Sequence, residues 1–262
     1  MVAKPGSQSG FKRKLQISVG AIFLILVFFF SIREDSTYHK ISRLEHLAKT
    51  IFYSVDNGLA LVLPQKDESF SLSMPYYKQE NGLTCEVAAL RTALAYLGSY
   101  VSETELIGKL VFDTRVPMSP EGIWGDPENG FVGDINGSIF YRTGFGVYEK
   151  PILALALNYK TAAIIEKADL IKVLEEVLSG NPVLAWGLLS RRAAVSWKTL
   201  DGKVIEVRPG EHVRVVIGFT GEIDNPTKII LLDPIYGLIK MNKDKFVSDW
   251  KIMNNRAVVV YK

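Results

Sequence analysis

Cysteine and histidine are both scarce in this chain of 262 residues, which has one cysteine, Cys85, and three histidines. A single cysteine excludes an internal disulfide and leaves no cysteine-rich metal site. Two of the histidines, His39 and His46, lie just beyond an apolar segment, so a zinc cluster is not expected either. The sequence predicts neither a metal nor a cofactor.

The chain also lacks a strong excess of charge. Its net charge is +3, and after residue 40 the basic residues are scattered rather than gathered in a stripe. A nucleic-acid partner is therefore not expected. Hydrophobic residues make up 48% of the chain and charged residues 23%. This composition and length are sufficient for one substantial core with appendages.

An apolar segment near the start of the chain predicts a membrane anchor. Residues 15–32 contain no charge from Ile17 onward and follow a basic head, residues 1–14. The segment is slightly shorter than the roughly 20 residues of a spanning helix, and no small-residue cleavage signal follows it. We expect an uncleaved transmembrane signal anchor with a cytoplasmic head, a stalk over residues 33–69, and an extracytoplasmic domain; cleavage would make the domain secreted.

Residues 70–262 predict one α+β domain. A helix begins at Cys85 and ends before Gly98, and further helical patterns follow. The stretch 113–149 is rich in glycine and proline and predicts a structured loop. After Pro182 the pattern changes to short apolar strands. Helices followed by antiparallel strands are typical of the α+β class.

Four residues of this domain form a candidate site for thiol chemistry. A helix N-terminus favours negative charge, so the thiol of Cys85 is placed where a thiolate forms most easily. His212 starts one strand and Asp233 ends the next, which predicts that both lie at one edge of the sheet. His212 could then accept the thiol proton while Asp233 orients its ring. Gln79 and the N–H of Cys85 could donate to an oxyanion.

The pattern of Gln79 followed after five residues by Cys85-Glu86-Val87 resembles papain-fold cysteine peptidases related to the double-glycine leader (bacteriocin-processing) peptidases. More narrowly, it resembles their stand-alone bacterial relatives, which lack transporter domains. The resemblance extends over residues 70–262 and includes motifs in a fixed order. These motifs are Trp124-Gly125-Asp126-Pro127, Gly130-Phe131-Val132-Gly133, Tyr148-x-Lys150-Pro151-Ile152, Pro182-Val183-x-x-Trp186, Gly210-Glu211-His212, Asp233-Pro234-x-x-Gly237 and Phe246 with Trp250.

The resemblance implies a papain-like fold, a peptide or protein substrate, and a catalytic set with Cys85 as the nucleophile. In that set His212 is the base, Asp233 orients it, and Gln79 is the oxyanion donor. Three further residues are candidates for substrate binding, although each also has a structural interpretation. They are Trp124, Asp126 and Trp186.

Arg214 departs from the small or apolar residues that usually follow the histidine in this family. By strand alternation it shares the face of His212. If it points into the site, it disfavours the imidazolium and competes for Asp233. If it lies on an exposed face, it leaves the chemistry unchanged.

Three functions remain open from the sequence. The first is a membrane-anchored, extracytoplasmic cysteine peptidase. The second is a catalytically inactive papain-like module that binds peptides or proteins, in which Cys85 is an inert buried thiol. The third is a transglutaminase-like acyl transferase, which would use the same three side chains. Fold analogy does not decide between these outcomes.

Overall fold

The computed structural model describes residues 69–166 and 168–262. The predicted head (1–14), the predicted anchor (15–32) and all of the predicted stalk except Ser69 lie outside the described residues. Within the described part of the chain, no helix has both the length and the apolar character needed to cross a membrane.

The described residues form five helices and twelve strands. The helices are α1 (Cys85–Tyr96), α2 (Glu103–Lys109), α3 (Glu149–Ala156), α4 (Leu170–Leu178) and α5 (Lys243–Ile252). The strands are β1 (Ser69–Ser71), β2 (Phe112–Thr114), β3 (Phe131–Gly133), β4 (Gly144–Gly146), β5 (Ala162–Ile164), β6 (Val183–Leu188), β7 (Val195–Lys198), β8 (Val204–Val207), β9 (Glu211–Gly221), β10 (Pro226–Asp233), β11 (Gly237–Asn242) and β12 (Ala257–Val260). The α+β prediction is confirmed.

The main sheet has seven strands, and all of its pairings are antiparallel. Six strands follow the order β11-β10-β9-β6-β12-β5, and β1 is the seventh. Strand β9 is long enough for two partners on the same edge, because β6 pairs with its residues 211–216 and β1 with its residues 218–220. Strand β10 pairs along the other edge and ends at Asp233. The sheet therefore brings the start of β9 close to the end of β10.

Helix α1 packs against β9 with a surface of small and apolar residues. Nearly all of its side chains are buried, including Leu90 and Leu94. The helix ends before Gly98, whose φ of +84° is a left-handed conformation that glycine adopts without strain. Strand β6 is buried along its whole length and contacts both α1 and α5. These contacts fix the start of α1 against the middle of the sheet.

Residues 113–149 are not the strand-free loop that the composition predicts. Strands β2, β3 and β4 form a small sheet of their own, in which β2 and β3 are parallel and β3 and β4 antiparallel. Glycines allow the close approach: a Cβ on Gly133 would lie 2.5 Å from the carbonyl oxygen of Thr143. The strands were missed because glycine carries no hydrophobic alternation.

Gly218 tests the anchoring of β1, which leads the chain toward Gln79 and Cys85. An added Cβ at Gly218 would overlap the carbonyl oxygen of Phe70 in β1. We predict that Gly218→Ala lowers the free energy of unfolding by about 1–3 kcal/mol, because β1 must move away from β9. Urea unfolding of the purified protein measures this change.

Gly108→Ala is the matched control, because a Cβ there meets no atom within 4 Å. Since Gly108 lies in α2, the control is expected to be stabilising by about 0.5–1 kcal/mol. A Gly218→Ala variant as stable as the wild type would contradict the anchoring role of β1.

Candidate active site

The loop before α1 is organised by a buried acid, Glu103. Its carboxylate accepts hydrogen bonds from the N–H of Glu80 at 2.9 Å and the hydroxyl of Thr84 at 2.5 Å. Thr84 occupies the N-cap position, but its side chain makes no cap to the helix. Its hydroxyl donates to the carboxylate of Glu103 instead. The start of α1 is therefore fixed by a tertiary contact rather than by a local cap.

Cys85 is the first residue of α1, and its side chain is buried. Its thiol donates a hydrogen bond to Oε2 of Glu86, with 3.3 Å between the sulfur and the oxygen. The backbone N–H of Val213, the residue after His212, is directed at the sulfur. Among the described residues, Glu86 is thus the acceptor of the thiol proton in this structure, and the sulfur lies beside the residue that follows His212.

The expectation that the helix start favours a thiolate is wrong for this conformation. Burial raises the pKa of Cys85 well above its ordinary value, and the charges of Glu86 and Glu211 raise it further. The N–H of Val213 acts in the opposite direction and is the weaker influence. The thiol is therefore neutral at physiological pH.

Glu86 and Glu211 form an acidic pair beside the sulfur. Glu86 is fully buried, and its Oε1 accepts the N–H of Val147 at 3.0 Å. Burial raises the pKa of Glu86 to about 7. Burial and the charge of Glu86 raise the pKa of Glu211 well above its ordinary value. Oε1 of Glu211 is enclosed and has no hydrogen-bond partner among the described residues.

The structure brings His212, Asp233 and Arg214 together in the buried sheet. Nε2 of His212 lies 3.1 Å from Oδ1 of Asp233, although the ring N–H is not well aligned with that oxygen. Nε of Arg214 donates to Oδ2 of the same carboxylate at 2.7 Å. Arg214 therefore points into the site, which is the first of the two alternatives that the sequence left open for it. It shares Asp233 with His212 instead of displacing it.

Asp233 is held as a carboxylate by its surroundings. Its Oδ1 also accepts the N–H groups of Ile235 at 2.8 Å and Tyr236 at 3.1 Å. Burial alone would raise the pKa of Asp233, but His212, these N–H groups and Arg214 lower it far below the ordinary value. Burial and the charge of Arg214 lower the pKa of His212, while Asp233 acts against both. The imidazole is therefore neutral and able to accept a proton.

Gln79 is tied to the same corner of the fold through its backbone. Its N–H donates to the carbonyl oxygen of Pro234 at 3.0 Å, which joins the loop before α1 to the turn after Asp233. Its side-chain amide donates to the carbonyl oxygens of Asn81 at 2.8 Å and Gly82 at 3.0 Å. Both amide hydrogens are thus in use, and donation to an oxyanion requires one of them to be released.

The three side chains considered for substrate binding are all buried and make their contacts within the protein. The indole N–H of Trp124 donates to Val116 O at 2.8 Å, and that of Trp186 donates to Val147 O at 3.2 Å. Asp126 forms an ion pair of 2.6 Å with Lys203. These contacts give each of the three residues a structural role.

Only one group of the described residues brings three metal-donor atoms within 4.8 Å of one another: Cys85, Glu86 and Glu211. Two of these side chains are already joined by the S–H···O hydrogen bond, so a cation would have to displace the thiol proton. The group is better described as a set of titrating acids than as a prepared metal site.

The sequence analysis missed Glu86, Glu103 and Glu211. Glu86 and Glu103 are fully buried, although acidic residues in amphipathic helices are expected on the exposed face. The sequence did carry one signal for them: one acid directly follows Cys85 and another directly precedes His212.

Comparisons with known proteins identify the family of this chain and its relatives. A model of the Peptidase_C39 like family matches residues 71–258. The chain is 31% identical over 255 residues to YvpB of Bacillus subtilis (strain 168), an uncharacterized protein, and the match covers 90% of this chain and 94% of that one.

Two solved structures are similar to the described domain. One is a protein from Bacillus anthracis whose crystal structure is described as that of a C39-like peptidase. It is 26% identical with a TM-score of 0.63, and the match covers 75% of this chain and 98% of that one. The other is the peptidase domain of Streptococcus ComA, a bifunctional ABC transporter. It is 16% identical with a TM-score of 0.42, over 71% of this chain and 97% of that one.

Arg214→Met tests the electrostatic effect of the guanidinium on His212. Because the charge of Arg214 lowers the pKa of His212, its removal is expected to raise that pKa. Asp233 keeps its backbone donors in this variant. An NMR titration of the histidine rings measures the change, and His212→Gln assigns the signal against His39 and His46.

Arg208→Met is the control for this titration, because Arg208 follows β8 and pairs with Glu206 of that strand. Arg208→Met is expected to leave the pKa of His212 unchanged. An unchanged or lowered His212 pKa in Arg214→Met would contradict the shared-carboxylate arrangement.

Proposed function

The chain belongs to the peptidase C39-like family, and from this premise we propose that it is a cysteine peptidase that hydrolyses peptide bonds. In the proposed mechanism Cys85 is the nucleophile, His212 the general base and Asp233 the residue that orients the base. The fold of the domain is proposed to be papain-like, with the nucleophile at a helix start and the base on the sheet.

One observation carries this proposal: the His212–Asp233 pair lies one residue along β9 from the N–H that faces the sulfur of Cys85. Nε2 of His212 lies 3.1 Å from Oδ1 of Asp233, and the sulfur faces the N–H of Val213, the next residue along β9. With Nε2 turned toward the carboxylate, Nδ1 is the ring nitrogen left to exchange a proton with a thiol. His212 is neutral at rest, which is the state a base requires.

The proposed reaction begins when the sulfur of Cys85 attacks the carbonyl carbon of the scissile peptide bond. The thiol proton passes to His212, and the imidazolium is stabilised by Asp233. The N–H of Cys85 is free of an intrahelical acceptor and can donate to the oxyanion, with Gln79 as the second donor. His212 then protonates the leaving amine, and water hydrolyses the thioester to restore the thiol.

Membrane attachment is a further part of the proposal. The apolar segment 15–32 and the basic head 1–14 support a signal anchor with the peptidase domain outside the cytoplasm. A peptide or protein in that compartment would be the substrate. A single cysteine suits an oxidising compartment, because it has no second cysteine in the chain with which to form a disulfide.

A second candidate function is a non-catalytic module that binds peptides. The observation that favours it is the hydrogen bond from the thiol of Cys85 to Glu86, which directs the thiol proton away from His212. The raised pKa of the thiol supports the same interpretation. In that case Cys85→Ala leaves peptide binding unchanged, and the wild type leaves bound peptides intact.

Cleavage of a complex peptide mixture by the full-length protein distinguishes these functions. We expect wild-type protein to generate new peptide termini, and Cys85→Ala and His212→Gln to lower the rate by about 10²–10⁴-fold because nucleophile or base is lost. Mass spectrometry of the peptides measures the products. An added amine in the same assay reports acyl transfer.

His46→Gln is the matched histidine control, since His46 lies in the predicted stalk, and it should cleave as the wild type does. Binding of peptides by all four proteins without new termini would contradict the peptidase and support the binding module.

A further inference from the structure

Two carboxyl groups beside Cys85 have no part in the proposed reaction: Glu86 is fully buried, and Oε1 of Glu211 is enclosed. Glu86 follows the nucleophile on α1, and Glu211 precedes the base on β9. Ionisable side chains without a role are rarely buried, because removing a charge from water is costly. Each of them has an oxygen within 4.8 Å of the sulfur, which suggests that their role concerns the thiol.

We propose that Glu86 and Glu211 are positioning residues that share one proton and hold Cys85 as a neutral thiol in the resting protein. The inference rests on the proposed function in one respect, since it takes Cys85 as the nucleophile. It adds that thiolate formation is controlled by two acids as well as by His212.

The geometry indicates that the two carboxyl groups cannot both be ionised. They converge above Gly146, where an added Cβ would lie 2.8 Å from Oε1 of Glu86 and 3.6 Å from Oε2 of Glu211. Gly146 has φ +139°, so the backbone at this point is one that other residues rarely adopt. Two carboxylates enclosed at one point repel each other strongly, and retention of one proton removes the repulsion.

The hydrogen bonds place the shared proton with respect to the thiol. Glu86 accepts from Val147 through Oε1 and from Cys85 through Oε2, so both of its oxygens act as acceptors. Oε1 of Glu211 has no donor among the described residues. The pattern therefore assigns the negative charge mainly to Glu86 and the proton mainly to Glu211, within a pair that titrates together.

The other charged groups that face Glu86 and Glu211 do not neutralise the pair in place of the shared proton. Arg214 and Arg256 lower the pKa of Glu211, but burial and Glu86 outweigh them. Arg214 is bound to Asp233, and Arg256 is bound to Glu128 and Glu149. The phenol of Tyr148 also faces Glu211, and burial with that nearby charge keeps it protonated.

The consequence for Cys85 follows from the sign of the charge. A negative charge on the pair raises the pKa of the thiol, as burial also does. Glu86 carries most of this charge and accepts the thiol hydrogen, so Glu86→Gln lowers the thiol pKa and makes the thiol more reactive. Glu211→Gln removes the shared proton and leaves the charge on Glu86, so it leaves the thiol pKa near that of the wild type. The direction expected for Glu86→Gln is the opposite of what loss of a catalytic base produces.

The test is the pH dependence of iodoacetamide alkylation of Cys85 in the full-length protein. The chain has one cysteine, so the signal comes from one site. A chelator is present throughout, so that no metal protects the thiol. We expect Glu86→Gln to lower the alkylation pKa of Cys85 by at least about one pH unit. The alkylation rate of Glu86→Gln at pH 7 is then expected to rise several-fold. The increase in the thiolate fraction outweighs the lower nucleophilicity of a thiolate with a lower pKa. Glu211→Gln is expected to leave the alkylation pKa near the wild-type value, because Glu86 keeps its charge.

Asp249→Asn is the matched control, because Asp249 is also buried and paired with an arginine but lies on α5. Its alkylation profile is expected to match the wild type. An unchanged profile in Glu86→Gln would overturn the proposal. Circular dichroism confirms that each variant is folded, and if Glu86→Gln fails to fold, infrared spectroscopy of the wild type decides.

Infrared spectroscopy of the wild type gives a readout that needs no variant. A protonated buried carboxyl group should give a C=O stretching band at pH 7 that shifts in D2O, and its absence would overturn the shared proton. Neither measurement uses a peptide. A shifted alkylation profile without peptide cleavage would refute the peptidase and retain the acidic pair, and cleavage with unchanged profiles would do the reverse.

Discussion

The carboxylate of Asp233 is the constraint on which the rest of the site depends. It contacts the imidazole of His212, the guanidinium of Arg214 and the N–H groups of the turn that follows it. The next residue, Pro234, accepts the N–H of Gln79 through its carbonyl oxygen. One buried corner therefore fixes His212 on β9, the turn between β10 and β11, and the loop that leads to Cys85. A buried ion pair contributes orientation here more than net stability, because the cost of desolvating both charges offsets their attraction.

Two opposing effects act on the pKa of Cys85: the helix N-terminus lowers it and burial raises it. Burial is the larger effect. A helix N-terminus stabilises a nearby anion by about 0.3–1 kcal/mol, and by up to ~2 kcal/mol in favourable sites. One pKa unit corresponds to about 1.4 kcal/mol, and full burial shifts a pKa by several units. The charges of Glu86 and Glu211 add to burial. The resting protein therefore holds Cys85 as a neutral thiol, and the imidazole of His212 is neutral as well.

Sequence reasoning predicted the features that depend on local pattern. The α+β class, the helix start at Cys85 and the proximity of His212 to Asp233 followed from periodicity and from strand ends. Other features depend on contacts between distant segments and could not be read in that way. Thr84 bonds to Glu103 across 19 residues, and the strands within 113–149 pair through glycines that carry no alternation. Strand alternation placed Arg214 on the face of His212, but only the fold decides whether that face is buried.

The central claim is that Cys85 forms a covalent bond with a peptide substrate with the help of His212. The most direct measurement is the intact mass of the full-length protein after rapid acid quenching during incubation with peptides. The account predicts an acyl adduct on Cys85 in the wild type, linked as a thioester and absent from Cys85→Ala. Peptides that bind to the wild type and are recovered unchanged, with no adduct at any time, would contradict it.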